Sequence, residues 1–220
     1  MLILLPPSEG KAEPAAGDPV DLGSLAFADE LSERREAMLD AFDPALRQAP
    51  AAPAADVYSG VLFKRLGLPE LPVEARDQVL IFSGLWGVLR PDDRIPFYKF
   101  PPKTKLKGIG AVAGFWRPAL AEALPDEEGE LVLDMRSAAY ASFWKPQRAR
   151  ARAVRAFTEK EDGERKAVSH MAKAVRGDVA RALLEADEKP ADSVDLAMIV
   201  AGAGFDVEMS YASMDVIFPG

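Results

Sequence analysis

The stretch Gln78-Val79-Leu80-Ile81-Phe82-Ser83-Gly84-Leu85-Trp86-Gly87-Val88-Leu89-Arg90-Pro91 passes from a continuous apolar run into a glycine-flanked tryptophan and an Arg-Pro corner. After Gln78, the four apolar residues Val79 to Phe82 read as a strand buried on both faces, the pattern of a parallel strand covered by helices. Ser83, Gly84, Trp86 and Gly87 then form a loop where glycine admits close approach and a large ring can pack or stack. Loops at the ends of buried strands are where α/β proteins keep their sites. A tight connection with Trp86 as ordinary core is the competing reading.

Two further runs repeat the pattern. Met1 to Leu5 is apolar at every position and stops at Pro6-Pro7, and Leu131-Val132-Leu133 runs into Asp134. Between them, Leu31 to Phe42 and Gly114 to Leu124 carry apolar residues at helical spacing, and Met171 to Ala186 reads as a third helix. Arg148 to Lys166 reads as a β-hairpin turning at Asp162-Gly163, and Phe205 to Phe218 as two short closing strands. Strands alternating with helices, followed by a late hairpin, predict an α/β (mixed α+β) fold. We expect a single domain over residues 1–220 with a mixed sheet, flanking helices and a basic cleft. Residues 43–57 hold three prolines and six alanines and read as a connector.

Composition narrows the function classes. Of 220 residues, 49% are hydrophobic and 28% charged, as in a soluble globular protein. No apolar run approaches the roughly 20 residues of a membrane span, and the opening run is too short for a signal segment, so a cytoplasmic location without membrane association is expected. There are no cysteines and one histidine, His170. No transition metal and no cofactor is therefore expected, because the nitrogen and sulfur ligands such metals prefer are scarce; His170 reads as a packing residue. The net charge of −8 argues against a general nucleic-acid coat. Yet every charged residue from Arg136 to Arg155 is Lys or Arg, so a basic cleft on an acidic protein is compatible with this chain.

Four blocks carry the candidate chemistry. In Ser8-Glu9-Gly10-Lys11 a Gly-Lys leaves a buried strand without P-loop spacing, so Lys11 is a single phosphate or carboxylate contact or a solvated lysine. Arg90 offers a rigid fork for phosphate, or a structural ion pair with Asp92, Asp93 or Asp134. Asp134 and Ser137 are the candidate catalytic groups, with Tyr140 beside them; Asp134 as a helix N-cap is the alternative. Lys173 and Arg176, three apart, share the face of a helix start, where free N–H groups and the positive dipole end add to their charge; this is the strongest phosphate signal. Arg148, Arg150 and Arg152 alternate along one arm of the hairpin, and Arg148 joins the phosphate-binding candidates. Trp86, Trp116 and Tyr140 are the candidate stacking rings.

In this order, the blocks Met1 to Lys11, Ser83 to Pro91, Asp134 to Tyr140 and Ser169-His170-Met171-Ala172-Lys173-Ala174-Val175-Arg176-Gly177 resemble the YaaA-type peroxide stress protein family across essentially the whole chain. The resemblance implies protection against hydrogen peroxide, a lowering of intracellular free iron, and binding of double-stranded DNA. Ser137 and Tyr140 match the family pattern, whereas Asp134 stands where members tend to carry Asn. Members also place a helix-hairpin-helix-like element with a Gly-apolar-Gly hairpin between the first helix and a Tyr-Ser/Thr-Gly segment; here Asp43 to Val57 contains no glycine. Weak DNA binding resting on the cleft cations is the expectation, by a monomer. An enzyme acting on a nucleotide or nucleic-acid base, and a regulatory protein-binding module without catalysis, are the alternatives.

Overall fold

The chain starts in β1 (Leu2–Leu5), buried at every position, and crosses a long loop to α1 (Ala28–Phe42). A 3₁₀ turn at Pro44–Gln48 leads to β2 (Ala51–Pro53) and the short helices α2 (Ala54–Val57), α3 (Val61–Leu66) and α4 (Val73–Arg76). Then β3 (Val79–Ser83) and β4 (Gly87–Leu89) form a hairpin, and β5 (Arg94–Pro96) pairs with β2. The two-residue strands β6 (Lys105–Leu106) and β7 (Gly110–Ala111) precede α5 (Val112–Ala123), β8 (Leu131–Asp134) and α6 (Ala138–Ala141). The last third contributes β9 (Arg150–Glu159), β10 (Arg165–Ala167), α7 (Met171–Glu185), α8 (Ser193–Gly202), β11 (Asp206–Met209) and β12 (Ser213–Pro219). This computed structural model describes every residue except 101–103, 148–149, 160–164, 168–170 and 220.

One mixed sheet of eight strands organises the domain, in the order β11-β12-β9-β8-β1-β3-β4, with β10 on β9. The inner strands β12, β9, β8, β1 and β3 are mutually parallel, and antiparallel neighbours close the edges. Leu4 faces Leu80 on one side and Asp134 on the other, so β1, β3 and β8 end at the same edge. That edge receives the loops 6–11, 84–86 and 135–137. The expected α/β fold with a mixed sheet and late hairpin is what the chain adopts, although the hairpin turn at Asp162-Gly163 lies outside the described residues.

A buried cation holds this frame from inside. In α1 the apolar stripe Leu31, Met38 and Leu39 is joined by Arg35, fully buried. Its guanidinium donates to the carbonyls of Trp86 (3.2 Å), Val88 (2.8 Å) and Ala26 (2.9 Å), which ties α1 to the β3–β4 hairpin. Burial pushes its pKa down to about 10, against the attraction of Asp93. The segment expected as a connector is drawn into the core, with Ala51 and Ala54 fully buried and Leu46 nearly so. Gly67 ends α3 in the left-handed conformation (φ 64°), the usual place for a glycine after a helix. Helix α8 was not expected; Asp192 caps it by accepting from the amides of Val194 (2.7 Å) and Asp195 (3.1 Å).

Candidate functional site

At the edge where β1, β3 and β8 end lies a cavity of about 650 Å³, within the usual range for small-molecule sites. Its first wall is the β1 exit. Pro6 and Pro7 end the strand, and the chain doubles back so that the buried Ser8 accepts the amide of Gly60 at 2.7 Å. Only glycine fits there, since a Cβ on Gly60 would fall 2.4 Å from Ser8 Oγ. Lys11 pairs through its backbone with Tyr58, while its side chain folds inward. The ammonium donates to the Ser8 carbonyl (2.5 Å) and lies 4.5 Å from the Tyr98 ring centre and 5.6 Å from that of Tyr58. Burial lowers its pKa to about 8, with Glu9 acting in the opposite direction.

Behind Lys11 runs a buried chain of three hydroxyls. Ser83 Oγ and Tyr98 Oη are 2.8 Å apart, and Tyr98 Oη and Tyr58 Oη 2.7 Å. Ser83 also accepts the amides of Leu85 and Trp86 at 3.2 Å, which shapes the turn. Burial pushes both tyrosine pKa values up, so both stay protonated. Sequence reasoning missed Tyr58 and Tyr98 because only the tertiary fold brings them together.

The stacking assignment needs correction for two rings. Trp86 and Trp116 are fully buried, and Trp116 donates its indole N–H to the Gly84 carbonyl at 2.9 Å. Gly87 (φ 75°) admits that indole; a Cβ there would meet it at 2.8 Å. Gly84 instead lines the cavity against Phe100, and the rings that line it are those of Phe63, Tyr98, Phe100 and Tyr140.

Asp134 is also reassigned. Its carboxylate accepts Arg136 Nε (2.9 Å), Nη2 (2.7 Å) and backbone N (3.0 Å), and it does not line the cavity. Arg136, overlooked in the sequence, has a wholly buried side chain lying 4.1 Å over the Phe82 ring, with Nη2 reaching the Trp144 carbonyl (2.9 Å). The N-cap alternative for Asp134 does not hold, because Ser137 occupies the cap position of α6. Ser137 and Tyr140 do line the cavity. Tyr140 is 8% exposed, its hydroxyl has no hydrogen bond among the described residues, and burial pushes its pKa up to about 12, assisted by Glu9.

The opposite wall is the start of α7. Gly177 lets α7 approach α3 closely, since a Cβ there would sit 2.4 Å from the Leu62 carbonyl oxygen. Lys173 is exposed and pairs loosely with Glu9 (3.5 Å). Arg176 is half-buried, donates Nε to the Val154 carbonyl (3.2 Å), and has its pKa lowered by burial against the attraction of Asp134. Four cations therefore border the cavity: Lys11, Lys99, Lys173 and Arg176. Among the described residues Glu9 is the one carboxylate lining it.

Arg90 is not among them. Because β4 runs antiparallel to β3, it returns the chain to the far end of the sheet, where Arg90 donates to the Asp77 carbonyl (2.6 Å) and stacks near Phe27. Its structural reading named Asp92, Asp93 or Asp134 as ion-pair partner; Asp93 accepts the Arg90 backbone amide at 2.9 Å, while the carboxylate nearest its guanidinium is Asp77, at 3.9 Å. Arg148 and His170 lie outside the described residues. Of the other hairpin arginines, Arg150 donates to the carbonyls of Gly129 and Ala191, and Arg152 lies near Tyr211. Among the described residues no three His, Asp or Glu side chains gather into a metal-binding group, and no helix is long and apolar enough to cross a membrane.

A parallel-sheet edge carrying a cavity bordered by four cations and walled by aromatic rings defines an α/β protein with a basic pocket at the ends of its central strands. The family profile described as peroxide stress protein YaaA matches residues 15–208. A UPF0246 protein of Streptomyces coelicolor is 38% identical over 243 aligned residues, covering 94% of this chain and 92% of its own. A UPF0246 protein of Corynebacterium efficiens is 36% identical, with 96% of each chain covered, and an uncharacterized protein of Campylobacter jejuni is 30% identical, with 80% and 82% covered. The chain belongs to the YaaA peroxide stress protein family.

Proposed function

We propose that this protein serves peroxide defence in the cytoplasm by binding nucleic acid, double-stranded DNA above all, through the basic mouth of the cavity. The observation that carries the reading is the convergence of Lys11, Lys99, Lys173 and Arg176 on one concavity of an otherwise acidic protein. Phosphate contacts supply most of the affinity in such interfaces, and no side chain here is an obvious base reader, so binding is sequence-tolerant. The apolar walls of Tyr98, Phe100 and Tyr140 and a nucleotide-scale volume favour one refinement: a single nucleotide unit or base enters the cavity. In that form the site can also act on the base. Limitation of free iron belongs to the same reading as an indirect effect, since a chain without cysteine and with one histidine offers few ligands for tight iron binding.

Fluorescence anisotropy with a labelled duplex at several salt concentrations tests the proposal. A dissociation constant of about 1 μM is expected near physiological salt. Lys173→Ala with Arg176→Ala should flatten the log–log salt dependence by about two, one released counterion for each lost phosphate contact. No binding at low salt removes duplex DNA as a direct ligand. Competition by a nucleoside monophosphate under the same conditions would then support the small-nucleotide form.

A further inference from the structure

We infer that the Lys11 amine is a nucleophile that condenses with the aldehyde of a phosphate-bearing sugar held in the cavity, forming an imine. The inference rests on the reading of the cavity as a phosphate-binding site, and its own content is the chemistry at Lys11. Four observations carry it.

First, Lys11 is held inward. Its Nζ contacts a backbone carbonyl and two ring faces, and it forms no ion pair among the described residues, whereas a lysine kept for charge alone would face solvent or a carboxylate. Second, burial brings its pKa to about 8, so near pH 8 about half the molecules carry the free amine that attacks a carbonyl. Third, the rings of Tyr98 and Tyr58 that seat the ammonium would seat an iminium equally well, because both are cations over a π face. Fourth, Tyr140 is more than nine-tenths buried and stays protonated, and its hydroxyl, without a hydrogen bond among the described residues, borders the same cavity, as does Ser137 three residues earlier. Either can donate a hydrogen bond to the aldehyde oxygen as negative charge develops on it.

The step balances without a further reagent. The nitrogen lone pair forms a bond to the carbonyl carbon, and a proton moves from nitrogen to oxygen to give the carbinolamine. Loss of that hydroxyl with the second nitrogen proton releases one water and leaves the C=N bond; addition of water reverses it. The cations Lys173 and Arg176 select aldehydes that carry phosphate, and two sources share this chemistry. One is the ring-opened deoxyribose of an abasic site in duplex DNA, a lesion that oxidative damage creates. The other is a free sugar phosphate such as 2-deoxyribose 5-phosphate.

Incubation of the full chain with each aldehyde and sodium borohydride, followed by intact-mass and peptide mass spectrometry, tests the inference. Reduction should fix a covalent adduct on Lys11, with a yield rising with pH through a midpoint near 8. Lys11→Arg, which keeps charge, and Lys11→Met should each lower it at least tenfold while still melting cooperatively. Adduct with the abasic duplex alone assigns the lesion as the source, and adduct with the sugar phosphate alone assigns the small molecule; both support the chemistry. No adduct with either aldehyde, adduct on Lys99 or Lys173 instead, or full yield from Lys11→Arg overturns it. A duplex with a tetrahydrofuran residue, which lacks the aldehyde, separates the two readings. Its binding, together with no adduct from either aldehyde, removes only the imine, whereas an adduct with the sugar phosphate but no duplex binding removes only the DNA reading.

Discussion

Replacing Asp134 by alanine decides whether that carboxylate serves the fold or a ligand. Asp134 accepts three hydrogen bonds from Arg136, whose side chain is 0% exposed. Removing it leaves a guanidinium with two carbonyl partners, Trp144 at 2.9 Å and Tyr140 at 3.4 Å, and the Phe82 ring. Breaking a buried ion pair in this way costs about 3–5 kcal/mol. Because Asp134 itself is 19% exposed, water can enter the vacated space, and the lower end, about 3 kcal/mol, is expected. In a chain of this length each kcal/mol moves the melting temperature by about 2–4 °C, so Asp134→Ala should melt about 6–12 °C lower. Asp134→Asn, which keeps one acceptor, should lose roughly half as much. The double variant Asp134→Ala with Arg136→Met should recover part of the loss, since it removes both charges from the interior. Urea denaturation and thermal melts by circular dichroism, run beside the anisotropy titration, give the answer. A variant within about 1 kcal/mol of wild type that no longer binds nucleic acid would refute the structural role and return Asp134 to the site.

Gly177→Ala should destabilise the protein by about 1–3 kcal/mol, because a Cβ 2.4 Å from the Leu62 carbonyl oxygen and 2.7 Å from Arg65 Cβ forces α7 off α3. The gain in helix propensity, about 1 kcal/mol, does not offset backbone contact, and duplex affinity should fall with the displaced α7 start; urea midpoints and anisotropy read both. Arg90→Ala should leave duplex affinity within twofold of wild type and cost about 1 kcal/mol of stability, since its partners are the Asp77 carbonyl and Phe27; a parallel collapse of binding would contradict the placement. Lys11 titrates at about 8 when folded against 10.5 as a free lysine. The unfolded chain therefore keeps a proton that the folded one has lost between those values, so this group's burial penalty is complete below pH 8 and is relieved as pH rises toward 10.5. The melting temperature of Lys11→Met relative to wild type should accordingly be higher at pH 7 than at pH 10; an unchanged difference would mean that Lys11 titrates normally.

The continuous apolar runs were enough to place β1, β3 and β8, because a strand buried on both faces has no polar alternation to mislead a reader. Helix α7 and the β9–β10 hairpin were legible from spacing in the same way. Arg90 was misplaced by a rule that holds for parallel strands. The three residues Gly84 to Trp86 reverse the chain, so the exit of β4 points away from the edge reached by β3. The tryptophans were misread for a related reason: Gly87 beside Trp86 makes room for the Trp116 indole from within the core, a contact between residues 87 and 116 that no local pattern carries. Arg35 and Arg136 look like surface charges in sequence, since the Trp86 and Val88 carbonyls that receive Arg35 and the Phe82 ring that Arg136 lies against come from distant segments. Helix α8 did leave a trace, Asp192-Ser193 ahead of an apolar run, which is a cap signal.

The central position of β1 has a consequence for biosynthesis. Ile3 must find Val79, and Leu2 must find Val132, before the strand is enclosed on both edges. A nascent chain therefore carries an unpaired, wholly apolar segment until much of the polypeptide has left the ribosome. Pairings this distant in sequence close slowly, and their exposed edges invite association with other chains. Protection of Leu2 to Leu5 by a chaperone, and aggregation of truncated chains ending before β8, are what this topology implies.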